Sequence, residues 1–252
     1  MVFYSLKADR WKRYGVVVVL SLFCALFLWI GRFNQQPVFQ NNGELRALSQ
    51  GSEDLSFVAL TFNISWGSDK VQEILKQLEA HQVQATFFLS GSWAERHPDI
   101  VKDIHEGKHE IGMMGYDYES YLEMKPEHVS QDLNKAKEAF EKLGFEDVKW
   151  IRPPHGHIDK EVLKRIDEAG LQAVQWSINP RDWENPGTNQ IIDQVMNKGS
   201  KGDIILMHAS DSVKQTPKAL KVILPGLKQK GLEFVSISEL VSGSETKTTQ
   251  VN

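Results

Sequence analysis

The chain has 252 residues, 41% of them hydrophobic and 25% charged, which suits one globular domain of α/β barrel size or two small ones. A formal net charge of −4 leaves no basic footprint, so a nucleic-acid partner is not expected. Cys24 is the single cysteine, which rules out an intramolecular disulfide.

The first element is the uncharged apolar run from Val16 to Ile30, preceded by Lys7, Arg10, Lys12 and Arg13. It is shorter than the ~20 residues of a full span, but Tyr14, Gly15 and Gly31 extend it and Arg32 can snorkel. No small-x-small cleavage site follows it. A buried core helix would leave the basic cluster unexplained, and Phe23 before Cys24 argues against lipidation there. The expectation is an uncleaved signal-anchor helix within residues 1–33, with the excess of Lys and Arg before it holding the N-terminus inside. The protein is then a single-pass cell-membrane protein whose C-terminal domain is extracytoplasmic. Residues 34–54, rich in Gln, Asn, Gly and Ser, read as a linker. A folded domain is expected over 55–241, and the polar end 242–252 reads as a flexible tail.

From Phe57 onward, short apolar runs alternate with helical periodicity. The expected strands are 57–62, 85–89, 109–114, 148–151, 173–178, 203–207 and 233–237. Between them Val71, Ile74, Leu75 and Leu78 recur at helical spacing, and a second helix starts near Pro98. A long one carries Val129, Leu133, Ala136, Phe140 and Leu143, and others cover 159–169, 189–197 and 216–230, the last interrupted at Pro225. Near-continuous apolar strands separated by helices indicate a parallel sheet covered by helices. Such a sheet either closes into a barrel or lies open and doubly wound. The lack of a glycine-rich phosphate loop after the first strand favours a barrel of seven units.

In a barrel of this kind the chemistry gathers at the C-terminal ends of the strands. Unusual residue types cluster at those ends: Asn63 to Trp66, Met113 to Tyr118, Arg152 to His155, Asn179 to Trp183, and His208 to Asp211. The same stretches (FVALTFNISWG, GKHEIGMMGYDY, IRPPHG, WSINPRDW and GDIILMHAS) resemble, in order, the motifs of the NodB-type polysaccharide deacetylases, carbohydrate esterase family four. The resemblance covers essentially all of 55–241, and the Ser65-Trp66-Gly67 and Met114-Gly115-Tyr116 variants look most like the sporulation subfamily called PdaB.

The resemblance implies a (β/α)7 barrel-like deacetylase fold, preceded here by a transmembrane helix, that acts on N-acetylated cell-wall glycan such as peptidoglycan. By the same resemblance His208 stands at the general-acid position, Asp182 is the carboxylate that tunes it, and Arg152 orients the base. Leu206, Trp176 and Trp183 line the acetyl or sugar pocket, with Trp66 a further candidate for substrate contact.

The departures from the family pattern bear on chemistry. Asn63 stands where the family has its base, and Ile64, Met114 and Tyr118 stand where it has its metal ligands. Thioether, phenol and alkyl side chains bind hard divalent ions poorly. The family's metal, such as zinc, lowers the pKa of bound water from about 15.7 to about 7, so these residues carry the expectation that no cofactor is used. Three functions remain open: a hydrolase of N-acetyl amides by slow or unrecognised chemistry, a glycan-binding module on the same fold, and a structural or partner-binding role at the membrane surface. His105 with His109, and His155 with His157, are spaced so that an improvised metal site is conceivable, although His109 reads more simply as a packing residue.

Overall fold

The computed structural model describes residues 45–242 and the backbone of residues 247–249. The expected anchor within residues 1–33, and residues 34–44 of the expected linker, lie outside the described residues. Among the described residues no helix is long and apolar enough to cross a membrane.

The strands are β1 (Ala47–Gln50), β2 (Phe57–Ile64), β3 (Thr86–Leu89), β4 (Glu110–Met113), β5 (Trp150–Ile151), β6 (Gln172–Ala173), β7 (Ile204–His208), β8 (Glu233–Val235) and β9 (Lys247–Thr249). The helices are α1 (Asp69–Ala80), α2 (Gly91–Arg96), α3 (Pro98–Glu106), α4 (Pro126–Lys142), α5 (Lys160–Glu168), α6 (Thr188–Lys198), α7 (Thr216–Gln229) and α8 (Ile237–Ser242). Six strands form a parallel ladder in the order β6-β5-β4-β3-β2-β7, and β8 joins it on β2. Each parallel return needs a crossover, which the helices supply.

Strand pleating separates two apolar layers. Phe62, Ile64, Phe87, Leu89, Met113 and Met207 belong to one hydrophobic cluster with helix residues such as Ile74, Phe140 and Leu220. The alternate positions Thr61, Asn63, Phe88 and Leu206 are equally buried yet lie outside that cluster, on the inner face of the curl. The outer layer holds helices to sheet, and the inner layer carries the polar residues discussed below.

The expected seven-unit barrel is corrected in how it closes. The sheet is curled but its ladder is open between β6 and β7, because the expected strand 173–178 pairs continuously only at Gln172–Ala173 and returns as a single bridge, Ile178 to Ile205. The opening is filled by β1, which the sequence reading assigned to a linker. Leu48 bridges Val174 in parallel, its carbonyl accepts from the Gln175 N–H at 2.6 Å, and Gln50 bridges Asp203 in antiparallel. Ala47 and Leu48 are fully buried. Nor is the C-terminal end loose throughout, since β9 pairs antiparallel with β1.

Two helices also differ from expectation. α2, six residues with Trp93 and Ala94 buried, is too short to show periodicity in sequence. α7 runs unbroken through Pro225. A proline there forgoes one backbone hydrogen bond at roughly 3 kcal/mol, which burial of Leu220, Ile223, Leu224 and Leu227 outweighs.

Candidate functional site

The inner face places Arg152, at the end of β5, beneath the C-terminal ends of its neighbours. Its side chain is fully buried. One Nη1 donates to Thr61 Oγ1 and to Asn63 Oδ1, both at 2.9 Å; Nη2 donates to the Gln175 carbonyl at 3.0 Å, and Nε to the Val174 carbonyl at 3.4 Å. Its guanidinium carbon lies 4.2 Å from the centre of the Phe88 ring and 5.6 Å from that of Trp176. All four acceptors are neutral. Burial pushes the guanidinium down to about 9, and the titratable group whose field bears on it is the Tyr118 phenol. That phenol is itself raised by burial and stays protonated.

Asn63 and His208 are registered neighbours on β2 and β7, with Asn63 beside Phe88 of β3 on its other flank. Because guanidinium nitrogens only donate, Asn63 must turn Oδ1 toward Arg152, which directs Nδ2 away from it. His208 Nδ1 lies 2.8 Å from Asp182 Oδ1, and since a carboxylate only accepts, Nδ1 carries the hydrogen and Nε2 is left for the pocket. Asp182 is fully buried and also accepts from the His208 backbone N–H at 2.9 Å and from Thr216 Oγ1 at 2.7 Å. The short turn Asp182–Glu184 that presents it is flanked by left-handed Arg181 and Asn185, backbone strain of a kind found at functional sites.

The remaining sequence candidates take different places. Ile64 points into the helix-side core and does not share the face of Asn63. Met114 is fully buried, follows the outward Met113, and is absent from the outer cluster. Tyr118 is half-buried at φ 61°, its ring 4.6 Å from that of His155, which is itself left-handed at φ 59°. Leu206 lines the inner face opposite Thr61. Trp176 is half-buried, and its ring packs so closely on Gly156, at φ 73°, that no side chain would fit there. Trp66 is 62% exposed and Trp183 48% exposed, so both present aromatic faces to solvent rather than to the core. His109 is buried, and its Nδ1 accepts from the Ala85 N–H at 3.3 Å.

Three positioning residues were missed by sequence reasoning. Asp132 on α4 accepts from the Tyr116 and Asp117 N–H groups and from the Tyr121 hydroxyl, holding the loop that carries Tyr118. Gln175 supplies a carbonyl to Arg152, and its side-chain amide donates to the Gly156 carbonyl. Asp211, known from sequence only as a strand-end residue, accepts from the Ser68, Asp69 and Lys70 N–H groups and so caps α1. No sequence spacing marks these contacts, which join residues far apart in the chain. The large groove lined by Leu75, Gln82, Asp103 and His109 lies at the opposite, N-terminal end of the strands, away from Asn63 and His208.

The sequence model described as polysaccharide deacetylase matches residues 50–174. A peptidoglycan-N-acetylglucosamine deacetylase of Bacillus cereus is 36% identical over 187 residues, covering 73% of this chain and 87% of that protein. Among solved structures, a family 4 carbohydrate esterase pseudoenzyme from Bacillus anthracis superposes with a TM-score of 0.75 at 28% identity, covering 81% of this chain and 72% of that one. A mutant of this pseudoenzyme is described as having restored enzymatic activity. A peptidoglycan N-acetylglucosamine deacetylase in complex with a naphthalenyl N-hydroxybenzamide gives a TM-score of 0.74 at 31% identity, covering 79% and 94%. The chain spans 59% of the length of an uncharacterized Bacillus subtilis relative that is 31% identical.

These findings correct the expectation that no cofactor is used. The matched family is one of metal-dependent deacetylases, and an N-hydroxybenzamide is a hydroxamic acid, a chelator of divalent cations. A divalent metal is the cofactor that kinship implies. The side chains present fit it poorly by the family's route: Asn63 Oδ1 is committed to Arg152, Ile64 is alkyl and faces the core, and Met114 offers a thioether. Among the described residues no group of three or more His, Cys, Asp or Glu side chains could hold an ion.

Proposed function

The chain belongs to the polysaccharide deacetylase family, and from that premise we propose that it binds N-acetylated cell-wall glycan at the C-terminal ends of its strands, with hydrolysis curtailed. Asn63 carries the proposal. A carboxamide is too weak a base to take up a proton near neutral pH, and its oxygen is already committed to Arg152 at 2.9 Å, so it cannot act as general base. Such a base typically contributes about a hundred- to ten-thousand-fold to rate. What remains suits recognition: Trp176, the exposed Trp66 and Trp183, and the His208–Asp182 pair. The likeness to a pseudoenzyme supports this reading, and the glycan named for the Bacillus cereus relative supplies the ligand class. In the proposal the segment 16–30 anchors the domain outside the cell membrane, and resemblance to the PdaB subfamily is the support for a role in sporulation.

The second reading is hydrolysis itself. It is favoured by the His208–Asp182 contact at 2.8 Å, which fixes the ring orientation that proton transfer at Nε2 requires. One assay separates the two: binding of, and acetate release from, N-acetylated glycan fragments, with and without added zinc. Binding without release above the level of His208→Ala supports the first reading. Release that His208→Ala abolishes establishes the second.

A further inference from the structure

Two non-glycine residues held in the left-handed region meet beyond the C-terminal ends of β4 and β5. Tyr118 has φ 61° and His155 φ 59°, and their rings lie 4.6 Å apart. Backbone of this kind persists only where its surroundings over-determine it, and it gathers at functional sites. Both segments are built rigidly. Asp132 accepts from the Tyr116 and Asp117 N–H groups, and Gly115, at φ 68°, packs against Tyr121 and Asp132 too closely for any side chain. On the other segment the Gln175 side chain donates to the Gly156 carbonyl, and the Trp176 ring closes on Gly156.

This frame limits what the Tyr118 hydroxyl can do. The His155 backbone N–H is directed at the phenol oxygen, which serves as its acceptor. Burial keeps the phenol neutral, so it retains a hydrogen to donate, and no described residue takes that hydrogen. The side chain is only half-buried, at the end of the sheet where glycan is proposed to enter. The Arg152 charge acts on the same phenol. A cation behind a neutral donor draws in the negative end of a dipole, such as a carbonyl oxygen.

We propose that the Tyr118 hydroxyl is the donor that holds the acetyl carbonyl of the bound glycan, and is thus the residue by which the site selects N-acetylated sugars over their hydroxyl counterparts. The carbonyl oxygen accepts from Tyr118 Oη–H while Oη accepts from the His155 N–H, an arrangement that needs no change of protonation. This inference rests on the proposed binding of glycan at the C-terminal ends of the strands, and it names the group through which that site recognises its ligand.

The test measures the affinity of the full-length chain, with and without a chelator, for N,N′-diacetylchitobiose and for cellobiose, the same disaccharide with hydroxyls in place of its acetamido groups. The wild-type chain should bind the acetylated sugar about three- to tenfold more tightly, the gain of one hydrogen bond. Tyr118→Phe keeps a ring against His155 and should bring the two affinities together, and its melting temperature confirms that it is folded. A second measurement needs no variant to fold: with an isotopic label at tyrosine Cζ, the Tyr118 resonance of the wild-type chain shifts on addition of diacetylchitobiose and not of cellobiose. A preference undiminished in Tyr118→Phe, an unmoved Tyr118 resonance, or equal affinity of the wild-type chain for the two sugars overturns the inference and leaves glycan binding standing. A preference that chelator removes assigns the carbonyl to a cation and overturns it as well. Failure of the wild-type chain to bind either sugar removes the proposed function, and the inference with it.

Discussion

Arg152 Nη1 and Asn63 Oδ1 meet at 2.9 Å, and this one contact joins the polarity of the pocket to its charge. A residue that only donates lies against an amide that can both donate and accept, so the amide has no choice of orientation. The cation keeps its hydrogen bonds but lacks a counter-charge among the described residues, and burial lowers its pKa to about 9.

Asn63→Asp is therefore expected to stabilise the fold. Arg152 is already desolvated in the wild-type chain, so the new carboxylate adds only its own desolvation and gains a charge-assisted bond of about 1.5–3 kcal/mol. Beside the guanidinium the folded-state pKa of the introduced Asp falls below the unfolded value of about 3.9. The stabilisation is present above that unfolded value and disappears as pH falls through the folded one. Denaturant midpoints of variant and wild type should differ at pH 7 and converge near pH 2. A variant less stable than wild type at pH 7 would show that desolvating the new carboxylate costs more than its bond to Arg152 returns.

How much of this was legible in the sequence follows from where the signals reside. β2, β3 and β7 are apolar runs whose outer side chains pack on helices, and periodicity exposed them. Arg152, Asn63, Asp182 and His208 were found through motifs that lie at strand ends. β1 was missed because its sequence, ALSQ, carries only two buried apolar residues among polar neighbours. Its stability comes from bridges to Val174 and Asp203, more than 120 residues away. Asp132 and Asp211 were not picked out as positioning residues for the same reason, since acceptance of backbone N–H groups across 15 or 142 positions leaves no local pattern.

β1 should matter for stability as well as for shape. Leu48 is fully buried, and it pairs with the segment whose Val174 and Gln175 carbonyls hold Arg152. Leu48→Ala should cost about 2–5 kcal/mol in equilibrium unfolding. A chain that begins at residue 55 should melt well below one that begins at residue 45. Equal melting temperatures would mean that the β6–β7 opening tolerates the loss of its filling strand.

Asp211 fixes the start of α1 by accepting from Ser68, Asp69 and Lys70. These three backbone N–H groups have no intrahelical partner, and the carboxylate also complements the positive end of the helix. Asp211→Ala should destabilise by about 1–2 kcal/mol, with a smaller loss in Asp211→Asn, which keeps an acceptor. Because Gly67 packs against this carboxylate at φ 80°, the Trp66 loop should loosen together with the helix end. Faster amide exchange at Ser68 to Lys70, relative to wild type, is the measurement that reports it.

His109 offers a pH response separable from the pocket. Its Nδ1 accepts from the Ala85 N–H, and burial lowers its pKa to about 4, against 6.5 for the free side chain. Between those values the unfolded chain binds a proton that the folded chain refuses, so stability declines as pH falls from about 6.5 and levels off below about 4. The loss attributable to this one group is up to about 3 kcal/mol. His109→Gln can keep an acceptor for the Ala85 N–H but cannot titrate, so its stability should stay flatter over that interval once the carboxylates common to both chains are subtracted. Parallel stability curves for His109→Gln and wild type from pH 7 to pH 4 would show that the imidazole takes up its proton without leaving the core.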